Sequence, residues 1–190
     1  MSHVLFKGVE RVAVGTRLEV ALVAQRLLDE PHGDLVLIFD AQGRQVDFDL
    51  TGGPDALTAR LAPEAIPEPA PRGRGRPRLG VVPREVTLLP RHWDWLAAQP
   101  GGASVALRKL VETARRSSEA PDRIRGAREA AYRFANVLAG DRPGYEAAIR
   151  ALFAGDDAAF ESQIATWPPD IAAQARTFAA EAFGADSAPA

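Results

Sequence analysis

The side chains best suited to contact an anion are arginines, and they cluster in the middle of the chain. Residues 72–116 contain ten basic and three acidic residues, although the whole chain has a net charge of −2. Residues 1–55 and 119–190 each carry a net charge of −4. Because local charge rather than total charge sets the field that a ligand meets, the central stretch predicts an anionic partner.

The first part of this basic stretch, residues 72–78, has a composition that fits a DNA groove. Glycine lets the backbone approach the groove floor, arginine matches the negative potential of a narrow minor groove, and proline keeps the chain extended. Residues 74–77, Arg-Gly-Arg-Pro, resemble the core of the AT-hook, which binds the minor groove of A/T-rich DNA. The resemblance implies that six residues bind DNA: Arg72, Arg74, Gly75, Arg76, Pro77 and Arg78. The alternative is a solvated, arginine-rich linker.

The next part of the stretch predicts a strand, a helix, a turn and a second helix. Residues 84–88 are β-prone, and Pro90 suits the first position of a helix. Pro-Gly-Gly at residues 100–102 predicts the turn, and Ser104 is a suitable cap for the second helix.

This order of elements resembles the ribbon-helix-helix fold of small bacterial repressors and antitoxins. In that fold two chains pair their strands, so the resemblance implies a homodimer with a ribbon in the major groove. It places Arg84 and Thr87 towards DNA, Val86 and Leu88 towards the core, and Ser104 at a phosphate. Members of the fold usually have one more residue between strand and proline, and a shift of one residue inverts the strand. Which face meets DNA therefore stays open.

Two other interpretations of this part of the chain stay open. One is a helix-turn-helix whose recognition helix, residues 104–116, presents four basic side chains: Arg108, Lys109, Arg115 and Arg116. The other is a pair of packing helices in a larger all-α domain. The second helix has an apolar face that is expected to be buried: Leu107, Leu110, Val111 and Ala114. On the first helix, Trp93 falls on the apolar stripe, while Trp95 points elsewhere and suits a dimer or partner contact.

The chain as a whole predicts an α+β fold in four parts. These are an α+β domain at 1–55, a Pro/Arg-rich linker at 56–83, the strand-helix-helix module at 84–118 and a helical domain at 119–190. The first domain is expected to hold a three- or four-stranded antiparallel sheet and one helix capped by Thr16, with 45–50 as a hairpin partner of 35–39. The last domain predicts helices at 124–138, 145–153, 156–166 and 170–183, the fourth capped by Asp170.

An enzymatic site is a weaker interpretation. Asp40, Asp47 and Asp49 are the one acidic group able to bind Mg²⁺, and the solvated face of a hairpin explains them better. The chain has no cysteine and three scattered histidines, and it lacks a nucleophile elbow and a P-loop. We therefore expect no enzyme and no cofactor. No apolar run is long enough to span a membrane, and the first residues do not resemble a signal peptide, so a cytoplasmic location is expected.

Residues 75–111, GRPRLGVVPREVTLLPRHWDWLAAQPGGASVALRKLV, resemble the signature of a family of uncharacterised bacterial proteins, as do FKGVERVAVG and IFDAQGRQVDFDL less sharply. That resemblance implies no activity. The residues themselves predict a dimeric DNA-binding protein, of the transcription-regulator or nucleoid-associated type. The alternatives are an adaptor or antitoxin-like regulator that binds a protein through its N- or C-terminal domain, and a metal-dependent enzyme.

Overall fold

The structure is a computed structural model that describes residues 2–28, 35–61 and 82–184. It has the α+β fold that the sequence predicts. The strands are β1 (His3–Lys7), β2 (Glu10–Gly15) and β3 (Val36–Phe39). The helices are α1 (Arg17–Leu28), α2 (Pro54–Leu61), α3 (Pro90–Ala97), α4 (Gly102–Ala139), α5 (Tyr145–Ala154), α6 (Asp157–Ile164) and α7 (Pro169–Ala179). None of these helices is both long and apolar enough to cross a membrane.

The chain divides into two units that do not follow the four predicted parts. The first unit consists of residues 1–62 and 120–190, and we call it the sheet unit. The second consists of residues 63–119, and we call it the hairpin unit after the helices α3 and α4 and the turn between them. The sequence predicted separate domains at the two ends of the chain, and this prediction is wrong. Strands from the N-terminal end and helices from the C-terminal end contribute to the same hydrophobic core.

The sheet is antiparallel, in the order β2-β1-β3; β1 and β3 are largely buried, and the edge strand β2 is largely exposed. Successive residues of a strand point to opposite faces. Leu5 and Ile38 therefore pack with Val20 and Ala24 of α1. The alternate residues of β1 and β3 face the C-terminal helices: Val4, Phe6, Leu37 and Phe39. The sheet unit thus has a helix on one side of its sheet and a helical layer on the other, rather than the single covering helix that was predicted.

Aromatic rings join the sheet to the C-terminal helices. Phe134 of α4 is fully buried, and its ring centroid lies 5.4 Å from that of Phe6 and 5.0 Å from that of Phe39. Phe178 of α7 packs on its other side at 5.3 Å. Ring pairs at these separations stabilise a core beyond the area that they bury. Phe134 is therefore the central contact between the two ends of the chain.

Several predicted helix ends are confirmed. The backbone N–H of Thr16 donates to Oε2 of Glu19 at 2.7 Å, and the N–H of Glu19 donates back to Oγ1 of Thr16 at 3.3 Å. This capping box begins α1, and its hydrogen bonds lower the pKa of Glu19. Asp156 caps α6 by accepting from the N–H of Ala159 at 2.9 Å. The predicted cap at Asp170 is wrong, because α7 begins after Pro168 and Asp170 instead accepts from the N–H of Arg11.

Two predicted boundaries in the middle of the chain are also wrong. Residues 54–61, assigned largely to the linker, form α2, whose Leu57 is fully buried. The second helix was expected to end near Arg116, but α4 continues to Ala139 with Pro121 inside it. A proline removes one backbone hydrogen bond at some cost, yet good helix formers on both sides can carry a helix through it. Pro121 lies beside the boundary between the two units.

The turn after β3 departs from the predicted hairpin. Oδ1 of Asp40 accepts from the N–H groups of Gln42 and Arg44 at 2.8 and 2.9 Å. The chain then makes one bridge, between Gln45 and Phe39, and residues 46–50 form no strand. The described part of the sheet therefore has three strands, because the pairing that would extend the hairpin ends after one residue.

We expect Gly43→Ala to lower the free energy of unfolding by about 2–4 kcal/mol. Gly43 has a φ of +68°, which is unfavourable for other residues. A Cβ there would also overlap the carbonyl oxygen of Ala130 in α4 and lie 2.8 Å from the carbonyl carbon. Chemical denaturation measures the loss. Gly8→Ala is the matched control, since Gly8 has a φ of +58° but no atom near the added Cβ. Equal losses in both variants would contradict the close approach of the turn to α4.

Candidate nucleic-acid interface

The described part of the hairpin unit is built on α3 and the first half of α4. Pro90 is the first residue of α3, as predicted, and needs no N–H there. The turn passes through Gly101 and Gly102, whose φ angles of +87° and +75° favour glycine. The Pro-Gly-Gly turn is thus confirmed. Leu96 of α3 is buried, with 3% of its surface exposed.

The segment before α3 is extended but pairs with no strand that the structure describes. The residues of the predicted strand, 84–88, carry no strand assignment. Arg84 and Thr87 are exposed, Val86 is 55% exposed, and Leu88 is half-buried. The placement of Val86 in the core belongs to a paired dimer and stays a prediction, since the structure describes one chain. A ribbon would need a second copy of this segment, because ribbon strands pair between chains.

Four basic side chains line one side of α4. Arg108 and Lys109 recur at helical spacing, seven residues later, as Arg115 and Arg116, so all four project from the same side. Each is exposed. Arg108 and Lys109 make no hydrogen bond or ion pair with the residues that the structure describes. We define this set of four as the basic face.

Glu112 lies within the basic face, between its two pairs of basic residues. Its Oε1 lies 2.9 Å from Nη2 of Arg115 and 3.0 Å from Nε of Arg116. The hydrogen bond from Arg115 lowers the pKa of Glu112, and the bond to Glu112 raises the pKa of Arg115. Glu112 therefore stays ionised and offsets one charge of the face, and Glu119 also helps to raise the pKa of Arg115. Arg108 and Lys109 are the charges most available to a ligand.

The opposite side of this half of α4 is apolar and exposed. Leu110 and Val111 are 48% and 64% exposed, and Ala114 is exposed as well. The prediction of a buried face is wrong here, because α3 has only eight residues and buries α4 no further than Ala106. The assignment of Trp93 to a buried stripe also fails, since Trp93 is 39% exposed.

The helix start also differs from its prediction. α4 begins at Gly102, so Ser104 lies inside the first turn and is not the cap. Its exposed position in that turn still places it near the backbone N–H groups that no helical carbonyl accepts.

One family model matches residues from both units of the chain. The model of DUF2239, described as an uncharacterized protein conserved in bacteria, matches residues 2–179. The chain belongs to this family. The predicted membership of an uncharacterised bacterial family is therefore confirmed for this DUF2239 protein. Neither a curated protein nor a solved structure matches it.

Residues 72–78 of this DUF2239 chain, which we call the arginine arm, lie outside the described residues. That applies to all six residues of the predicted AT-hook: Arg72, Arg74, Gly75, Arg76, Pro77 and Arg78. Their assignment stays a prediction from the sequence.

Two of the three N-terminal carboxylates of the DUF2239 chain, Asp40 and Asp49, have local roles, and Asp47 is exposed. Asp40 organises the turn after β3. Asp49 accepts from the N–H of Thr51 at 3.1 Å and pairs with Arg60 at 3.2 Å; the hydrogen bonds from Thr51 lower its pKa. Among the described residues, no group of three or more His, Cys, Asp or Glu side chains could hold a metal ion. The structure thus does not assemble Asp40, Asp47 and Asp49 into the candidate Mg²⁺ site.

Sequence reasoning missed the role of Glu112. Its spacing of three residues from Arg115 and four from Arg116 is the signal for ion pairs along a helix. Glu112 stands at the same separations from Lys109 and Arg108, and the structure pairs it with Arg115 and Arg116. The unpaired side chains of the basic face are Arg108 and Lys109.

Proposed function

We propose that this protein binds DNA and acts as a transcription regulator or a nucleoid-associated protein in the cytoplasm. The observation that carries the proposal is the basic face of α4. Arg108 and Lys109 are exposed and unpaired among the described residues, and Arg115 and Arg116 extend the face by two turns. DNA carries one negative charge per about 1.7 Å of helix axis, so a row of basic side chains along one helix matches its backbone.

The contact would consist mainly of charge and phosphate hydrogen bonds. Arginine and lysine on a helix face neutralise phosphates and release counterions, which gives affinity without sequence readout. α4 is the element that contacts DNA in this proposal, either along the backbone or within the major groove. The strand ribbon, with Arg84 and Thr87 in the groove and Ser104 at a phosphate, is the form that a paired dimer would take.

The arginine arm would add a second, minor-groove contact. In sequence it precedes α3, with residues 79–89 between them, and arms beside a major-groove reader often lie in the adjacent minor groove. Such an arm prefers A/T-rich DNA, whose minor groove is narrow and strongly negative. The arm therefore supplies the preference for base composition, whereas the basic face supplies affinity for any duplex.

We expect Arg74→Ala plus Arg76→Ala to reduce the preference for A/T-rich DNA. Affinity for an A/T-rich duplex should fall about tenfold, and affinity for a G/C-rich duplex should fall less. Fluorescence anisotropy with two labelled duplexes of equal length measures both. The matched control is Arg142→Ala plus Arg150→Ala, which removes the same charge from exposed positions in the sheet unit. If the arm variant weakens both duplexes equally, the arm contributes charge alone and the AT-hook assignment fails.

A second candidate function, an adaptor or antitoxin-like regulator, is favoured by one observation. The hairpin unit exposes large apolar side chains, including Trp95 at 52% and Val111 at 64%. Exposed apolar residues in such a concentration are typical of protein interfaces.

A further inference from the structure

A cavity of about 240 Å³ lies in the sheet unit, where β1 and β2 meet α7 and the turn after β3. The register of the sheet explains its position. Val4 pairs with Val14 and Phe6 pairs with Arg11, so Val14 and Arg11 share the sheet face that packs on the C-terminal helices. On β1 this face is buried, whereas Val14 on β2 is 60% exposed. The helical layer therefore leaves a gap over the edge strand.

The helix α7 presents polar side chains to this gap at helical spacing. Asp170 and Gln174 are four residues apart and lie on one side of the helix, which continues with Thr177 and Phe178. Oδ2 of Asp170 accepts from the backbone N–H of Arg11 at 2.9 Å. Oε1 of Gln174 accepts from Nη1 of Arg11 at 3.2 Å. These two bonds place the guanidinium of Arg11 beside the carboxamide of Gln174 at the wall of the cavity.

Gln174 is a deeply buried polar side chain with an unused donor. It is only 5% exposed, and no other polar residue of the described chain is buried as deeply. Its Oε1 is bound to Arg11, but its Nε2 donates to no residue that the structure describes. Burial of an amide donor without an acceptor is unfavourable. Because Gln174 lines the cavity, an acceptor placed in the cavity would complete its hydrogen bonds.

Arg11 and Gln174 together suit a carboxylate. The guanidinium of Arg11 has five N–H donors, and within the described chain only one of its nitrogens, Nη1, makes a hydrogen bond. A carboxylate accepts paired bonds from a guanidinium and is neutralised by its charge. The Nε2 of Gln174 adds a neutral donor next to that charge.

Asp40 supplies the opposite charge at the same cavity. Its Oδ1 accepts from the N–H groups of the following turn, while its Oδ2 accepts from no described group. Among the described residues that line the cavity, Asp40 is the one carboxylate and Arg11 the one guanidinium or ammonium; His3 is the third titratable group. A ligand with two negative groups would be repelled by Asp40. A small ligand with one carboxylate and one ammonium group matches both charges.

The remaining walls set the size and polarity of the ligand. Val4, Val14, Ala41 and Phe178 line the cavity with apolar groups. Pockets for drug-sized molecules occupy about 300–1,000 Å³, so this cavity suits a smaller ligand. A second cavity, of about 330 Å³, adjoins the first, since both are lined by Ala41, Thr177 and Phe178. It gives room for a longer side chain.

We propose that this cavity binds a free α-amino acid with an apolar side chain. Arg11 and Gln174 hold its carboxylate, Asp40 holds its ammonium group, and Phe178 contacts its side chain. The lining residues belong to the sheet unit, whereas the basic face belongs to the hairpin unit. The proposal therefore does not depend on DNA binding.

The test is isothermal titration calorimetry of the full chain with L-valine, L-leucine and L-phenylalanine, each at up to about 10 mM. We expect at least one of them to bind with a dissociation constant of about 1 mM or lower. Analogues that lack one charged group should bind at least about tenfold more weakly. For L-leucine these are 4-methylpentanoate, which lacks the ammonium group, and 3-methylbutylamine, which lacks the carboxylate.

Three variants test the residue roles. Arg11→Met and Gln174→Leu should each raise the dissociation constant of the amino acid at least about tenfold. Asp40→Asn keeps an acceptor oxygen for the turn, so it should weaken the amino acid about tenfold without weakening the analogue that lacks the ammonium group. The matched controls are Arg17→Met and Asp47→Asn, at exposed positions of the sheet unit outside this cavity, and they should bind like the parent. Far-UV circular dichroism checks the fold of every variant.

The proposal is overturned if none of the three amino acids binds at about 10 mM, or if Arg11→Met and Gln174→Leu both bind as the parent does. It is also overturned if the analogue without the ammonium group binds as tightly as its amino acid, because Asp40 would then have no part in recognition. None of these measurements includes DNA, so their outcome is independent of the proposed function.

Discussion

Arg108→Glu plus Lys109→Glu is expected to weaken DNA binding about a hundredfold or more at about 0.1 M salt. These two side chains are exposed and unpaired among the described residues, so they are the charges of α4 most available to phosphates. Reversal removes two phosphate contacts from each chain and places carboxylates beside the DNA backbone. Fluorescence anisotropy with a short labelled duplex measures the change. The slope of log affinity against log salt should also shrink by about 0.9 for each lost phosphate contact.

A matched double variant separates local charge from total charge. Arg142 and Arg150 are exposed in the sheet unit and make no ion pair with described residues. Arg142→Glu plus Arg150→Glu changes net charge by the same amount but should weaken binding much less. Glu112→Gln should have the opposite effect and tighten binding, since it removes the carboxylate that offsets the basic face. If the two double variants weaken binding equally, the basic face has no special role.

Phe134→Ala is expected to lower the free energy of unfolding by about 3–5 kcal/mol, the range for truncating a buried aromatic ring. The ring of Phe134 is fully buried and contacts Phe6, Phe39 and Phe178. Its loss leaves a cavity where the sheet meets the C-terminal helices. Urea denaturation followed by circular dichroism measures the effect.

The control for Phe134→Ala is Phe153→Ala, which truncates an exposed ring. Phe153 is 49% exposed, and its ring centroid lies 6.0 Å from that of Tyr132. Its truncation should cost less than about 1 kcal/mol. Equal losses at Phe134 and Phe153 would contradict a core shared by the two ends of the chain.

Local features of the fold could be predicted because they depend on nearby residues. Thr16 and Glu19 lie three residues apart and form the capping box that begins α1. Asp156 caps α6 by accepting a hydrogen bond from the N–H of Ala159, three residues on. Pro90 and the glycine pair at Gly101 and Gly102 mark helix ends through their backbone preferences. These signals need no knowledge of the rest of the chain.

The wrong predictions concern contacts between distant residues. No local pattern indicates that Phe6 and Phe39 meet Phe134, so the two ends of the chain were predicted as separate domains. Pro121 is a helix-breaking residue in a local reading, but its neighbours carry α4 through it. The apolar face with Leu110 has the spacing of a buried face. It is exposed because α3 is too short to cover it.

The candidate site could be predicted in part. The clustering of basic residues locates it, and helical periodicity places Arg108 and Lys109 on one side of α4 with Arg115 and Arg116. Charge counting does not show that Glu112 pairs with the second two and leaves the first two unpaired. It also does not show that residues 84–88 find no strand partner within the described chain. Both depend on side-chain geometry or on a second chain.

The most direct test of DNA binding is the salt dependence of the parent chain's affinity for a duplex. Arg108 and Lys109 alone give about two phosphate contacts per chain, and the arginine arm and the rest of the basic face add to them, hence a slope of log affinity against log salt of about −1.8 or steeper. Affinity should therefore fall at least about tenfold between roughly 50 and 200 mM salt. The absence of a complex at low salt, or an affinity that does not change over this range, would contradict the proposal that the basic face binds DNA.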